Sequence, residues 1–281
     1  MMEGLLHSAV PLMLAGLGAL LTDLSGALGI FIEGFMITGA FFSWVFAGWT
    51  GSVFLGTLLS ALLAALIGWA LARFVRLSGA NPFIAGLAFN LAASGITLSL
   101  SAVWFGTKGV LLNPGINIPG PAPFTYTALV CVVIFTVVLK RTVPGLRLQA
   151  SGLSPQAAIE RGIRPWLYRE GAWALAAFLA ALAGAALTFR VGAYAPGGIA
   201  GRGWIALALV FLGFRKVWGV ALAAIIFSFA ERLAFGIQGF GVLPATALLG
   251  LPSALALALY FVSLVLKKKG WKGIRAPARD N

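Results

Sequence analysis

Chemistry needs titratable, nucleophilic or metal-ligating side chains in groups, and this sequence offers few. Seven of its 281 residues are Asp or Glu, one is His and one is Cys. A lone Cys131 excludes an intrachain disulfide, and a lone His7 argues against a histidine-built metal or haem site. There is no Ser/His/Asp set, no Cys/His ligand spacing and no G-x-x-x-x-G-K-[ST] phosphate loop; the glycine pair Gly51 and Gly56 lacks the lysine. The expectation is a chain that is not an enzyme, holds no cofactor or metal, and hydrolyses no ATP itself. Any energy it uses would come from an ion gradient or from another subunit.

Two polar patterns remain, both inside apolar runs. Glu33 interrupts a run between Gly29 and Gly39, and Arg202 occupies a comparable place far along the chain. Ionisable groups in lipid are functional candidates by default, because removing them from water is costly. Glu33 either serves a transported solute directly or caps free helix-end amides. Asn90, Ser94, Thr97 and Ser101 are spaced by four, three and four, which places them on one narrow stripe of a helix, extended by Gly86. Such a stripe lines a wet pathway or hydrogen-bonds another helix. Glu33, Asn90, Ser94, Thr97, Ser101 and Arg202 are the candidate pathway residues. Asp23 near a run's end, and the neighbours Glu231 and Arg232, read as rim charges.

The elements that must position these residues follow from composition. Apolar residues make up 60% of the chain and charged residues 10%, against about 45–50% and about 25% in a soluble domain. That balance excludes a soluble enzyme and a disordered tail. It predicts an all-α, polytopic transmembrane protein forming a single domain over residues 1–281. Apolar runs at 5–21, 28–48, 53–72, 83–105, 125–139, 172–190, 204–214, 217–235 and 245–266 predict about nine spans. The seventh, eleven residues long, rises only about 16 Å and is expected to be a half-helix or a discontinuous segment.

The net charge of +13 could suggest nucleic acid, but its placement does not. Sixteen of the 20 basic residues fall in alternate loops: after the third, fifth, seventh and ninth runs. By the positive-inside rule these loops are cytoplasmic, which puts the C-terminus inside the cell and the N-terminus outside, in the cell (inner or plasma) membrane. The inner loop 140–171 contains a short helix signal. Ser154 suits the N-cap, Pro155 the first helical position and Gly162 the stop, with Gln156, Ala157 and Ala158 between. The segment is too polar for the bilayer and too short to stand alone, so it should lie on the inner surface and await a partner.

An internal repeat is also legible. Residues 32–36, IEGFM, resemble 201–205, GRGWI, and 54–56, FLG, resemble 217–219, VWG. With alternating topology the copies run in opposite directions, as in the inverted repeats of transporters, with broken helices at matched positions near Gly34 and Gly203.

Four segments carry a family resemblance. Residues 29–41, GIFIEGFMITGAF, resemble the "NIALEGMMLIGAF" segment of ATP-binding-cassette (ABC) importer permeases for nucleosides and simple sugars, relatives of the branched-chain amino acid and ribose permeases. Residues 86–91, GLAFNL, resemble that family's "GLALNL". Residues 145–150, GLRLQA, with 154–158, SPQAA, and 162–163, GI, resemble its "GLRLRAVGENPRAADAAGI" loop; residues 201–208, GRGWIALA, resemble its "GRGFIALAA". The chain departs at 27–29, ALG for "GVIN", and at 151–153, SGL for a "VGE"-like run. The resemblance implies a permease paired with a second permease subunit, two cytoplasmic ATPases and an external solute-binding protein. It also makes 154–162 the coupling helix that docks on the ATPase. The competing reading is a proton- or sodium-coupled secondary transporter using Glu33.

Overall fold

The computed structural model describes residues 2–113, 115–118, 120–199 and 201–238. Among these the chain is almost wholly helical: α1 Met2–Leu24, α2 Ile32–Thr50, α3 Val53–Ser78, α4 Pro82–Phe105, α5 Ala122–Arg141, α6 Val143–Leu153, α7 Pro155–Glu160, α8 Pro165–Val191, α9 Arg202–Leu212 and α10 Val217–Gln238. Six of them, α1 to α5 and α8, are long and apolar enough to cross a membrane. The protein is a polytopic helical membrane protein. Inter-residue packing divides it into two units, Met1–Ile225 and Ile226–Asn281. The first unit contains α1 to α9 and the start of α10.

The first six apolar runs each become a long helix, and the seventh becomes the 11-residue α9. The eighth is α10, and the ninth, 245–266, lies outside the described residues. Some boundaries differ from expectation; α3 runs on to Ser78 rather than ending near 72. The sixth helix begins at Pro165 rather than near 172, and the 140–171 loop holds α6 as well as α7. The signal for α6 was present: Thr142 is its N-cap, accepting from Gly145 N–H at 3.4 Å, with Pro144 in the first turn.

α8 is the centre of packing for α1, α2 and α3, and small residues allow it. Cβ atoms added at Gly18 and Gly68 would meet Ala176 and Ala177 of α8 at 2.9 and 2.5 Å. One at Gly39 would strike the Ala181 backbone, and one at Gly184 would strike the Met36 carbonyl. Helices in lipid gain little from the hydrophobic effect, so backbone-close packing of this kind supplies their attraction. By contrast α4 and α5 keep broad exposed apolar flanks, among them Leu91, Val103 and Val130.

The two ends of the bundle sort the loops as the alternating topology requires. At one end Arg215 Nε meets Asp23 Oδ2 at 2.6 Å, Arg76 meets Glu170 at 2.9 Å, and Gly26 lies against Gly152. At the other end Leu111 and Tyr194 exchange backbone hydrogen bonds of 2.8 and 3.2 Å, and His7 Nδ1 pairs with Thr125 Oγ1 at 2.5 Å.

Candidate functional site

After α1 the chain does not turn straight into another helix. Residues 25–31 form an irregular stretch that ends where α2 starts, at Ile32. Inside a bilayer such backbone is tolerated only where protein groups satisfy it. Asn90 of α4 does so. The Gly34 N–H donates to Asn90 Oδ1 at 2.7 Å, and Asn90 Nδ2 donates to the Ile30 carbonyl at 2.8 Å. Gly34 has ordinary helical backbone, and its role is proximity: a Cβ there would sit 2.8 Å from Asn90 Oδ1. The break is upstream of Gly34 rather than at it. Aromatic rings wedge the same point, with Phe35 stacked on Phe89 at 4.2 Å and Phe31 against Trp173 at 4.6 Å between centroids.

The start of α9 is met in a matching way. Gly201 N–H donates to Glu33 Oε1 at 2.9 Å, and Gly203 N–H donates to Glu33 Oε2 at 2.6 Å. A Cβ on Gly203 would lie 2.5 Å from Glu33 Cα, so the two helix starts touch backbone to backbone. A helix N-terminus carries unpaired N–H groups and partial positive charge, which one carboxylate answers on both counts. The two segments whose sequences resemble each other, 32–36 and 201–205, therefore meet in space. α9 rises about 16 Å, so this junction lies about that far from the end where Arg215 meets Asp23.

The other candidates scatter around this junction. The Arg202 guanidinium turns back onto the Gly198 and Ile199 carbonyls at 3.3 and 3.4 Å. Asn90, Thr97 and Ser101 are buried on one face of α4, while Ser94 is exposed. Thr97 Oγ1 donates to the Ala93 carbonyl at 2.8 Å, and Ser101 Oγ to the Thr107 carbonyl at 2.8 Å. Burial pushes the Tyr194 phenol above its usual range, and a side-chain hydrogen bond with Thr97 pulls the other way. No group of three or more His, Cys, Asp or Glu stands ready for a metal among the described residues. Sequence reading missed the amides of Gly201 and Gly203 as Glu33's partners; the 168-residue separation gives no local signal, and only the repeat hinted at it.

The 154–163 segment is built as a short turn of helix with a well-closed stop. Ser154 is the extended N-cap residue of α7, Pro155 follows, and the Ala158 N–H donates to the Ser154 carbonyl at 3.1 Å. The Ser154 side chain caps no amide. Gly162 adopts φ +74°, a conformation that a side chain disfavours, and donates to the Ile159 carbonyl at 2.9 Å. The Ile163 N–H donates to the Ala158 carbonyl at 2.9 Å, completing a Schellman stop. Ala158 is buried, whereas Gln156, Ala157, Ile159 and Glu160 are exposed. α7 thus has one anchored side and one open side.

Comparisons with known proteins agree with this architecture. A family model described as branched-chain amino acid transport system / permease component matches residues 1–267. The chain is similar to the nucleoside ABC transporter permease protein NupC of Lactococcus lactis, 29% identical over 92% of each chain. It is similar to the guanosine ABC transporter permease protein NupQ of Bacillus subtilis, 29% identical over 80% of this chain and 78% of that one. It is also similar to the putative glucose ABC transporter permease protein TsgC13 of Haloferax volcanii, 27% identical over 83% of this chain and 76% of that one. No solved structure matches.

Proposed function

Because the chain belongs to the family of branched-chain amino acid transport system permease components, we propose that it is the membrane-spanning subunit of an ABC importer. Its solute is small and hydrophilic, a nucleoside first and a simple sugar next. The names of the relatives support that solute class: two are nucleoside or guanosine permeases and one a putative glucose permease. Two permease subunits, two cytoplasmic ATPases and an external solute-binding protein complete the assembly. The basic end of the bundle faces the cytoplasm, where the C-terminus also lies.

The observation that carries this reading is α7, a short helix closed at its C-terminus, with Ala158 anchored and Gln156, Ala157 and Glu160 exposed. Ser154, Pro155, Gln156, Ala157, Ala158 and Gly162 form the coupling element. ATP-driven closure of the ATPases moves α7, and the helices swing between outward and inward access. Solute passes a weakly polar route beside Glu33, Asn90, Ser94, Thr97, Ser101 and Arg202. A scarcity of buried charge suits a neutral solute, and tight selectivity belongs to the binding protein.

Ion coupling at Glu33 is the less favoured reading, since both carboxylate oxygens already accept backbone amides. Ala157→Asp tests the coupling element. Ala157 is exposed, so the variant should fold and insert, yet lose solute-stimulated ATP hydrolysis in the reconstituted complex. Assays with nucleosides, sugars and amino acids identify the solute. Unchanged transport in a variant shown to have lost ATPase docking would overturn the assignment.

A further inference from the structure

At the basic end, the last turns of α3, the α3–α4 turn, α7 and the first turns of α8 enclose a cavity of about 410 Å³. Most of its lining is apolar, including Val75, Pro82, Pro155, Ile159 and Trp166. Four polar side chains interrupt that lining: Arg76, Arg169, Glu170 and Trp173. Glu170, 4% exposed, forms an ion pair with Arg76 at 2.9 Å, which balances its charge, although its Oε1 has no hydrogen-bond partner among the described residues. Arg169 adds a donor. Its Nε is buried and has no hydrogen-bond partner among the described residues. Trp173 is 1% exposed, and its indole Nε1 is equally without an acceptor among them.

Buried donors in native proteins are nearly always paired, because an unmet one forfeits its hydration for nothing. Here two such donors, one on a guanidinium, line the same cavity, and neither the coupling element nor the junction at Glu33 uses them. With Arg76 and Glu170 neutralising each other, the lining keeps one net positive charge. The matching ligand is an anion with at least two acceptor oxygens, joined to an apolar body. The turns that form the cavity also carry exposed Phe74, Leu77, Phe83 and Ile84, a surface on which acyl chains can lie. A phosphodiester fits the donors, and lipid tails fit the flank.

We propose that this cavity binds the phosphate of an anionic phospholipid, with Arg169 Nε and Trp173 Nε1 as its donors. Only the choice of leaflet, the cytoplasmic one, rests on the proposed orientation of the chain. The ligand lies against Pro155 and Ile159 of α7, so its occupancy braces the coupling element from behind.

The test is native mass spectrometry of the transporter complex titrated with phosphatidylglycerol, phosphatidylcholine or inorganic phosphate. The expected result is one phosphatidylglycerol retained per chain, about tenfold more tightly than phosphatidylcholine. Arg169→Gln and Trp173→Phe should each weaken retention about tenfold, the scale of one charge-assisted hydrogen bond. Arg164→Gln, exposed and outside the lining, should not. Equal retention of the two lipids overturns the proposal, and that comparison needs no variant. Retention that both variants leave intact overturns it too. Retention of inorganic phosphate in place of lipid reassigns the cavity to a soluble anion. Retention only by chains free of the ATPase reassigns it to the subunit interface. None of these measurements involves solute, so their failure leaves the transport reading standing.

Discussion

Asn90 shows how much a single neutral side chain can hold. It supplies an acceptor to Gly34 and a donor to Ile30, across a stretch of backbone that no helix satisfies. Asn90→Leu leaves both groups buried and unmet, at about 1–3 kcal/mol each. The expected outcome is a clear drop in the thermal unfolding midpoint of the purified protein in detergent. Glu33→Gln keeps the shape of the side chain but points an amide NH₂ at one backbone N–H. A loss of about 1–3 kcal/mol is expected from the same measurement. The α4 stripe gives a second kind of test. In a Cys131→Ser background, Ser94→Cys should react with a small aqueous thiol reagent and Thr97→Cys should resist it, because Thr97 is 2% exposed. Equal reactivity at both positions would show that α4 turns a different face inward. Spacing in the sequence was enough to find the stripe and to single out Glu33. It could not say which groups those side chains meet, because a hydrogen bond between residues 33 and 203 leaves no periodic trace.

At the level of helices, the signals that depend on local chemistry were readable and those that depend on neighbours were not. Ser154, Pro155 and Gly162 marked the bounds of α7 correctly, although the Ser154 side chain caps no amide; the stop at Gly162 is decided within a few residues. The early start of α8 at Pro165 was obscured by Arg169 and Glu170, which look like loop residues until Arg76 is placed against Glu170. The dense alanines of α8 announced close packing but not its partners. Those crossings have little tolerance. Gly184→Val would drive a side chain into the Met36 carbonyl, and a loss of about 3 kcal/mol or more is expected from such overpacking. Size-exclusion profiles and protease sensitivity would report it. The turn after α9 offers the opposite case. Phe214 and Arg215 both hold positive φ, 53° and 57°, at about 1–2 kcal/mol each for a residue with a side chain. Phe214→Gly should therefore raise the unfolding midpoint, and a lowered midpoint would show that the Phe214 ring contributes more than its backbone costs.

Across the molecule, order and burial are unequal. α1, α2 and α8 form a dense frame, whereas α3, α4 and α5 present apolar flanks; on α4, Leu91 is 71% exposed and Val103 77%. Lipid covers such surfaces in a membrane. Amide hydrogen exchange should accordingly be slowest in α8 and fastest in the connections 106–121 and 192–201, since exchange follows local burial and packing. Rapid exchange in the middle of α8 would contradict the frame. The short α9 acquires a mechanical meaning from its two attachments. Its lower end runs into the turn where Arg215 grips Asp23, and its upper end presses on Glu33. A single short rod thus joins the charged rim to the start of α2, with no loop between to absorb a stroke.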